Sequence, residues 1–162
     1  MSKHLLTPQG EFPAAGLGRR LAAMFYDTVL CLALAIVTIW IYKLIQMAII
    51  GENKLHTLSE ARALDHDPLL QTVLLFVLFG FFAKFWTRSG QTLGMQVWCI
   101  RVQNADGSSI SLWQALLRFV VSIASLLCVG LGFIWSLFDK QKRSWHDIYS
   151  NTELVRIPKK TK

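Results

Sequence analysis

Three long apolar runs dominate the pattern of hydrophobic and polar positions along this chain. The first extends from about residue 21 to residue 43, and the second from about residue 68 to residue 86. As an α-helix rising about 1.5 Å per residue, each run is long enough to cross a hydrocarbon core of about 30 Å. Gly51 is expected to end the first helix, and Asp67-Pro68 is a signal for the start of the second. The pattern therefore predicts two transmembrane helices.

The third apolar run, from about residue 112 to residue 138, is compatible with two arrangements. A single crossing would carry the basic tail out of the cytoplasm, which the preference of Lys and Arg for cytoplasmic segments opposes. Two full crossings do not fit, because each needs about 20 residues. A hairpin broken at Val129-Gly130-Leu131-Gly132 satisfies both facts if protein covers its non-helical backbone. The run is expected to be either a broken, re-entrant hairpin or a third crossing.

The segment between the second and third runs has a different pattern. A β-rich stretch from Val97 to Val102 precedes an Asp106-Gly107 turn and Ile110, which together predict a small cytoplasmic β hairpin. Ser111 and Gln114 have the spacing of a capping box and are expected to open the helix of the third run. The predicted fold is an all-α membrane protein with two full transmembrane helices, the third apolar segment and this hairpin.

The composition supports a membrane protein. Of the 162 residues, 53% are hydrophobic and only 17% are charged, whereas about a quarter of the residues are charged in a typical soluble domain. The net charge of +7 would suggest a nucleic-acid partner in a soluble protein. In a membrane protein it is better explained by basic residues in cytoplasmic loops. No groove-reading motif is visible, so no nucleic-acid partner is expected.

The charges that flank the runs predict the orientation. The loop between the first two runs is mostly acidic, with Glu52, Glu60, Asp65 and Asp67 against Lys54 and Arg62. The other flanks of these runs are basic, with Lys3, Arg19, Arg20, Lys84, Arg88 and Arg101. The positive-inside rule therefore places the N-terminal tail, residues 1–18, in the cytoplasm. The expected location is the plasma membrane, namely the inner membrane of a bacterium.

Asp27 is the residue of the first run that most needs a chemical explanation. An ionised carboxylate in a membrane is costly unless it is paired, so its side chain is expected to face the protein interior. Arg20 lies nearly two helical turns earlier and therefore on the same helix face. The pair is either a proton or cation site or a structural ion pair that orients the helices. Arg118 is expected either to snorkel to the membrane surface or to pair with an acid of another segment.

Four motifs that occur in order after residue 16 resemble those of the RDD family, small membrane proteins named for an arginine and two aspartates. They are RLAAMFYD with Arg20 and Asp27, GQTLG, IRVQNADG followed by SLWQALLR, and WHDIYSNT with Asp147. Met95 and Ile148 depart from the family pattern, in which basic residues are common at these positions. The resemblance implies a multi-spanning membrane domain over residues 19–155, with a basic tail over residues 156–162. Some relatives look like sodium/proton antiporters, and others, in eukaryotes, like scaffolds of membrane protein complexes.

The motifs suggest that the candidate site residues form one network of ion pairs. Asp147 is expected at the cytoplasmic boundary, level with Arg20, and the two side chains are predicted to pair. Asp27 is predicted to take the other side of the same guanidinium, whose planar fork can serve two carboxylates. His146 is a secondary candidate that is expected to titrate near neutral pH. One histidine with one or two carboxylates is too small a set for a metal site, so neither a metal nor a cofactor is expected.

Two functions are compatible with these observations. The intramembrane Asp27 favours a small cation or proton transporter, or a subunit of one, which would need an oligomer because the bundle of each chain is narrow. The alternative is a non-catalytic scaffold or accessory subunit of a membrane complex. An enzyme is not expected, since no nucleophile elbow, P-loop or zinc motif is present in the sequence. The expected partners are the lipid bilayer and either further copies of the chain or other membrane proteins.

Overall fold

The computed structural model describes residues 4–51 and 67–159, so the acidic loop of residues 52–66 lies outside the described part. The described residues form six α-helices, a short 3-10 turn and two β-strands. The helices are Leu17–Ile50 (α1), Pro68–Arg88 (α2), Leu93–Val97 (α3), Leu112–Leu127 (α4), Leu131–Ile134 (α5) and Trp145–Tyr149 (α6). The 3-10 turn is Trp135–Leu137, and the strands are Ile100–Gln103 (β1) and Glu153–Arg156 (β2).

Within the described ranges, α1 and α2 are long and apolar enough to cross a membrane, in agreement with the sequence pattern. Gly51 follows α1 with a left-handed backbone conformation (φ 86°), which glycine adopts without strain. Asp67 starts α2, because its Oδ1 accepts hydrogen bonds from Leu69 N (3.0 Å) and Leu70 N (3.3 Å). Both predicted helix boundaries are therefore confirmed.

The chain divides into two compact units. The first lies within residues 1–28 and 81–162, and the second within residues 29–80. In the second unit, Tyr42 of α1 donates a hydrogen bond to Asp67 Oδ2 (2.7 Å), just ahead of α2. Gln46 Nε2 donates to the same oxygen at 3.2 Å, so two side chains of α1 hold the start of α2.

The third apolar run is bent. The angle between α4 and the helical stretch that follows it is 109°. Val129 (φ 56°) and Gly130 (φ 76°) adopt left-handed conformations at the break, so the right-handed helix cannot continue through them. The break lies where the sequence predicts it. The capping box at the start of α4 is also confirmed, since Ser111 and Gln114 each bind the other's backbone N–H (3.2 and 2.9 Å).

The predicted local hairpin is wrong, because the partner of β1 is the distant strand β2. The strands pair antiparallel, with Ile100 opposite Arg156 and Gln103 opposite Glu153. All residues of β1 are buried, and a buried strand needs backbone partners and apolar cover. Leu154 and Val155 in the middle of β2 are buried and satisfy this need.

The segment after β1 pairs with the N-terminus instead of folding back along β1. The Asp106-Gly107 turn is present, with a left-handed φ of 75° at the glycine. Beyond it, Ser108 forms an isolated antiparallel bridge with Leu5. A second bridge joins Ala14 to Val155 of β2. Segments that precede α1, follow α2 and follow the bent run are therefore hydrogen-bonded to one another in the first unit.

Candidate functional site

Asp147 lies fully buried at the centre of the candidate site in the first unit. Arg20 Nη1 donates to its Oδ2 (2.6 Å), and Arg118 Nη1 donates to its Oδ1 (2.7 Å). Ser144 adds two hydrogen bonds to Oδ2, from its hydroxyl (2.8 Å) and its backbone N–H (3.0 Å). The predicted ion pair of Asp147 with Arg20 is therefore present. We call Arg20, Asp147 and Arg118 the arginine–aspartate cluster.

The local sequence explains how the Asp147 carboxylate is held. Ser144 is the N-cap of α6 and Asp147 is its third helical residue, so the two residues form a capping box. This places the carboxylate at the start of the helix, where unpaired backbone N–H groups favour a negative charge. The Ser-x-x-Asp spacing is the signal from which Ser144 could have been included among the candidate residues.

Arg20 ties the start of α1 to the loop that precedes α6. Besides its bond to Asp147, Nη1 donates to Ser144 Oγ (2.6 Å), and Nη2 donates to Lys142 O (2.8 Å). Nε donates to Ala15 O (3.1 Å), just ahead of α1. A planar guanidinium with five donors can make these bonds together, whereas the single ammonium of a lysine cannot. The Arg20 side chain thus connects the segment before α1, the loop before α6 and α6 itself.

Arg118 of α4 is a central member of the cluster. It is 1% exposed, so the expectation that it snorkels to the membrane surface is wrong. The alternative, pairing with an acid of another segment, is the arrangement found. Arg118 also donates to Thr152 Oγ1, and its guanidinium lies 5.5 Å from the ring centroid of Trp86. Pairing prevails because α6 presents the buried Asp147 carboxylate within hydrogen-bonding distance of Arg118.

The cluster carries an excess of positive charge. Burial alone would raise the pKa of Asp147, but the charges of Arg118 and Arg20 and the hydrogen bond from Arg20 hold this pKa well below its ordinary range. Asp147 is therefore ionised at physiological pH. The two guanidinium groups share this one carboxylate, which leaves one positive charge uncompensated within the cluster.

His146 is a neutral side chain and not a group that titrates near neutral pH. It is 6% exposed, and burial lowers its pKa from 6.5 to about 3. Asp147 opposes this shift, whereas Arg118 and Arg20 reinforce it. The expectation of titration near pH 7 is therefore wrong, because the imidazole is desolvated beside two guanidinium groups. Its Nε2 lies 3.2 Å from Ser144 Oγ, which places the ring at the edge of the cluster.

Asp27 lies apart from the cluster. Thr92 Oγ1 donates to its Oδ2, and Gly94 N donates to its Oδ1 at 2.9 Å. The prediction that Asp27 shares the guanidinium of Arg20 is wrong. The two residues are about 10 Å apart along the helix axis, and the start of α3 lies directly against the Asp27 carboxylate. Asp27 is 5% exposed, so these neutral donors replace the water that it lost on folding.

Thr92 and Gly94 were not anticipated as partners of Asp27, although both lie in the GQTLG motif. Thr92 is the N-cap of α3. At Gly94, an added Cβ would lie 2.9 Å from Asp27 Oδ1 and still closer to Ala23 O. Only glycine therefore allows α3 to approach α1 this closely. The glycine-rich motif indicates such a close approach, but it does not identify the helix that is approached.

The arrangement is suited to holding elements together. Each carboxylate oxygen of Asp27 and Asp147 accepts at least one hydrogen bond. Within residues 4–51 and 67–159, no group of three or more His, Cys, Asp or Glu side chains is placed to hold a metal ion. The cluster instead joins α1, α4 and α6, which come from distant parts of the chain.

Two apolar helices of membrane-spanning length, a bent third apolar run and buried ion pairs define a small α-helical integral membrane protein. The sequence matches the model of the RDD family over residues 14–151, and the chain belongs to this family. Comparisons with curated proteins and with solved structures found no match.

Proposed function

We propose that the chain is a non-catalytic scaffold or accessory subunit of a membrane complex. Two transmembrane helices anchor it, and the first unit is the folded platform that meets other membrane proteins. The observation that carries the proposal is the arginine–aspartate cluster, which fastens α1, α4 and α6 in the interior of that unit. A platform for protein binding needs a stable interior of this kind. An ion pathway instead needs polar side chains that water and ions can reach.

The hydrogen bonding of Asp147 favours this role over ion binding. Asp147 is held by two guanidinium groups and by Ser144. A cation at Asp147 would have to displace a buried guanidinium and leave it without a partner, which is strongly unfavourable. A cavity of about 490 Å³ in the first unit is not lined by Asp147 or Asp27.

The pairing of β1 with β2 supports a topology with both ends of the chain at one membrane face. β1 precedes the bent run and β2 follows it, while Val155 of β2 also bridges to Ala14 ahead of α1. Strands that are hydrogen-bonded to one another cannot lie on opposite sides of a bilayer. The bent run is then a re-entrant or interfacial hairpin. The basic flanks favour a cytoplasmic location for this face, and the membrane that we propose is a bacterial inner membrane.

The two faces of α4 agree with an interfacial position. Its buried residues are Ala115, Arg118 and Ser125, whereas Trp113 is 66% and Leu127 is 81% exposed. An amphipathic helix with an exposed apolar face is suited to a position in the membrane interface.

Purification of the tagged full chain from its native membrane tests the scaffold proposal. After solubilisation in a mild detergent, the chain is expected to retain a membrane protein partner in a fixed ratio. The matched control is an unrelated two-span protein with the same tag, which must not retain that partner. A monodisperse homo-oligomer without any other protein would contradict the proposal.

Transport is the second candidate, and the environment of Asp27 favours it. The hydrogen bonds to this intramembrane carboxylate come from neutral donors, Thr92 and Gly94, so a proton could bind without breaking an ion pair. The test uses proteoliposomes that contain only this chain, an imposed sodium or potassium gradient and an internal pH dye. Proton movement that Asp27→Asn abolishes and Asp67→Asn retains would establish transport and refute a purely accessory role.

A further inference from the structure

The loop of residues 139–143 follows the bent run and is held by hydrogen bonds to itself and to Arg20. Asp139 O accepts a hydrogen bond from Lys142 N (2.9 Å), and Asp139 Oδ2 accepts one from Arg143 N (2.9 Å). Arg20 of the cluster donates to Lys142 O (2.8 Å). The main chain of the loop is therefore fixed by its own turn and by the buried cluster.

Lys142 has a backbone conformation that is uncommon for a residue other than glycine. Its φ of 55° lies in the left-handed region, where glycine is unstrained and other residues are uncommon. Hydrogen bonds at the Lys142 N–H and carbonyl hold this backbone conformation, and the Lys142 side chain is exposed. A left-handed residue that is not glycine, with an exposed side chain, suggests that this side chain has a function outside the fold.

Strongly exposed apolar side chains lie just ahead of the loop and at the bend. Leu137 is 63% and Phe138 is 77% exposed, and at the bend Leu127 is 81% and Val129 is 88% exposed. Apolar groups of this size, exposed on a bent and amphipathic element, are suited to the acyl region of a bilayer. The loop then lies at the level where the acyl region meets the lipid headgroups.

The charge around the loop is positive. Lys140 and Lys142 are exposed, whereas Arg143 is paired with Asp139 (3.2 Å). The cluster that holds the loop adds the uncompensated charge of its second arginine. Lysines beside an exposed apolar surface complement an anionic phospholipid in both charge and polarity.

We propose that residues 139–143 are a binding site for the headgroup of an anionic phospholipid, whose acyl chains lie along the exposed apolar residues of the bent run. Lys140 and Lys142 bind the phosphate. Arg20 is a positioning residue, which acts through the carbonyl of Lys142. The site does not depend on whether the chain is a scaffold or a transporter.

Native mass spectrometry of the purified full chain tests this site, with phosphatidylglycerol or phosphatidylcholine added at equal concentration in a neutral detergent. The wild type is expected to bind phosphatidylglycerol in preference to phosphatidylcholine. Lys140→Gln and Lys142→Gln are each expected to weaken phosphatidylglycerol binding about fivefold, the usual contribution of a lysine at an anionic surface. Lys159→Gln removes an exposed lysine elsewhere in the first unit and is expected to bind as the wild type does.

Lys142→Gly separates lipid binding from folding. It removes the side chain at a left-handed position, so its unfolding temperature is expected to equal or exceed that of the wild type, while phosphatidylglycerol binding falls. Equal binding of the two lipids would overturn the proposal, and so would unchanged binding in a Lys140→Gln/Lys142→Gln double variant. Complete displacement of phosphatidylglycerol by an equal concentration of inorganic phosphate would show a site for free anions and overturn it too.

Discussion

Asp147 pairs with arginines that are 127 and 29 residues away from it along the chain. A buried ion pair adds little net stability compared with a well-packed apolar replacement, because both charges lose their hydration. Removing one member of the pair lowers the stability strongly, since the remaining charge is then buried without a partner. We infer that the cluster mainly specifies which packing of α1, α4 and α6 is allowed.

Asp147→Asn is expected to destabilise the protein by about 3–5 kcal/mol, because Arg20 and Arg118 would both lose their buried counter-charge. The measurement is denaturant-induced unfolding in detergent, followed by tryptophan fluorescence. Asp139→Asn is the matched control. Asp139 pairs with the partly exposed Arg143, so its loss is expected to have a much smaller effect. Equal effects of the two substitutions would contradict a special role for the cluster.

The depressed pKa of His146 predicts a loss of stability in acid. The unfolded imidazole binds a proton as the pH falls below 6.5, whereas the folded one stays neutral down to about pH 3. The free energy of unfolding should therefore decrease on acidification through this window, by at most about 1.4 kcal/mol per pH unit. Asp147 adds to the loss only below its unfolded pKa of 3.8, because its folded pKa is lowered.

Unfolding temperatures of the wild type and of His146→Asn between pH 7 and pH 4.5 isolate this contribution. Asparagine retains a polar group next to Ser144 but does not titrate, so its curve is expected to be flatter than that of the wild type. Identical slopes would show that His146 is not the group responsible.

At the scale of the elements, the contact of α3 with α1 depends on the Asp27 carboxylate, which binds the N-terminus of α3. Asp27 of α1 accepts hydrogen bonds from Thr92 and from the backbone N–H of Gly94. A short helix gains little from its own propensity, so such a tertiary contact is what holds α3 in place. Glycine at position 94 is required because the two backbones come close together.

Gly94→Ala is expected to destabilise the protein, since the new Cβ would lie 2.9 Å from Asp27 Oδ1 and force α3 away from α1. Gly18→Ala is the matched control. Gly18 is also helical and an added Cβ there meets nothing within 4 Å, so this substitution should be neutral or stabilise by up to about 1 kcal/mol. Thermal unfolding of both variants in detergent makes the comparison, and a neutral Gly94→Ala would show that α3 is free to shift.

At the scale of the whole molecule, hydrogen bonds connect the segments that flank the apolar runs. β1 follows α2, β2 follows the bent run, and Ala14 precedes α1, yet the three are joined. Because hydrogen-bonded segments lie on one side of a bilayer, this convergence supports the proposed topology of two crossings with a re-entrant third run.

Labelling of single cysteines with an impermeant thiol reagent tests the topology, in a background that lacks Cys31, Cys99 and Cys128. Gln9→Cys and Lys159→Cys are expected to react from the same face of the membrane. Leu69→Cys, in the first turn of α2, is expected to react from the opposite face. Labelling of Lys159→Cys and Leu69→Cys from one common face would require a third full crossing.

The amino-acid sequence by itself determined the features that depend on neighbouring residues. The apolar runs determine the two candidate membrane spans, because the length of a membrane-spanning helix must match the thickness of the bilayer. The boundaries at Gly51, Asp67 and Ser111 follow from local backbone chemistry, which acts over three or four residues. The break near Gly130 was likewise readable from the sequence. The ion pair of Arg20 with Asp147 could be predicted only with the help of the family motifs.

The tertiary structure decided which of several chemically suitable partners each buried acid and each strand binds. Asp27 and Asp147 are both acids that need buried donors, but only the packing of α3 and α6 brings Thr92 to one and two arginines to the other. The partner of β1 was decided in the same way, by a strand about 50 residues further along the chain that offers buried apolar residues. The sequence indicates that a buried charge needs a hydrogen-bonding partner and that a strand needs a second strand. Which partner lies within hydrogen-bonding distance is determined by how the helices pack.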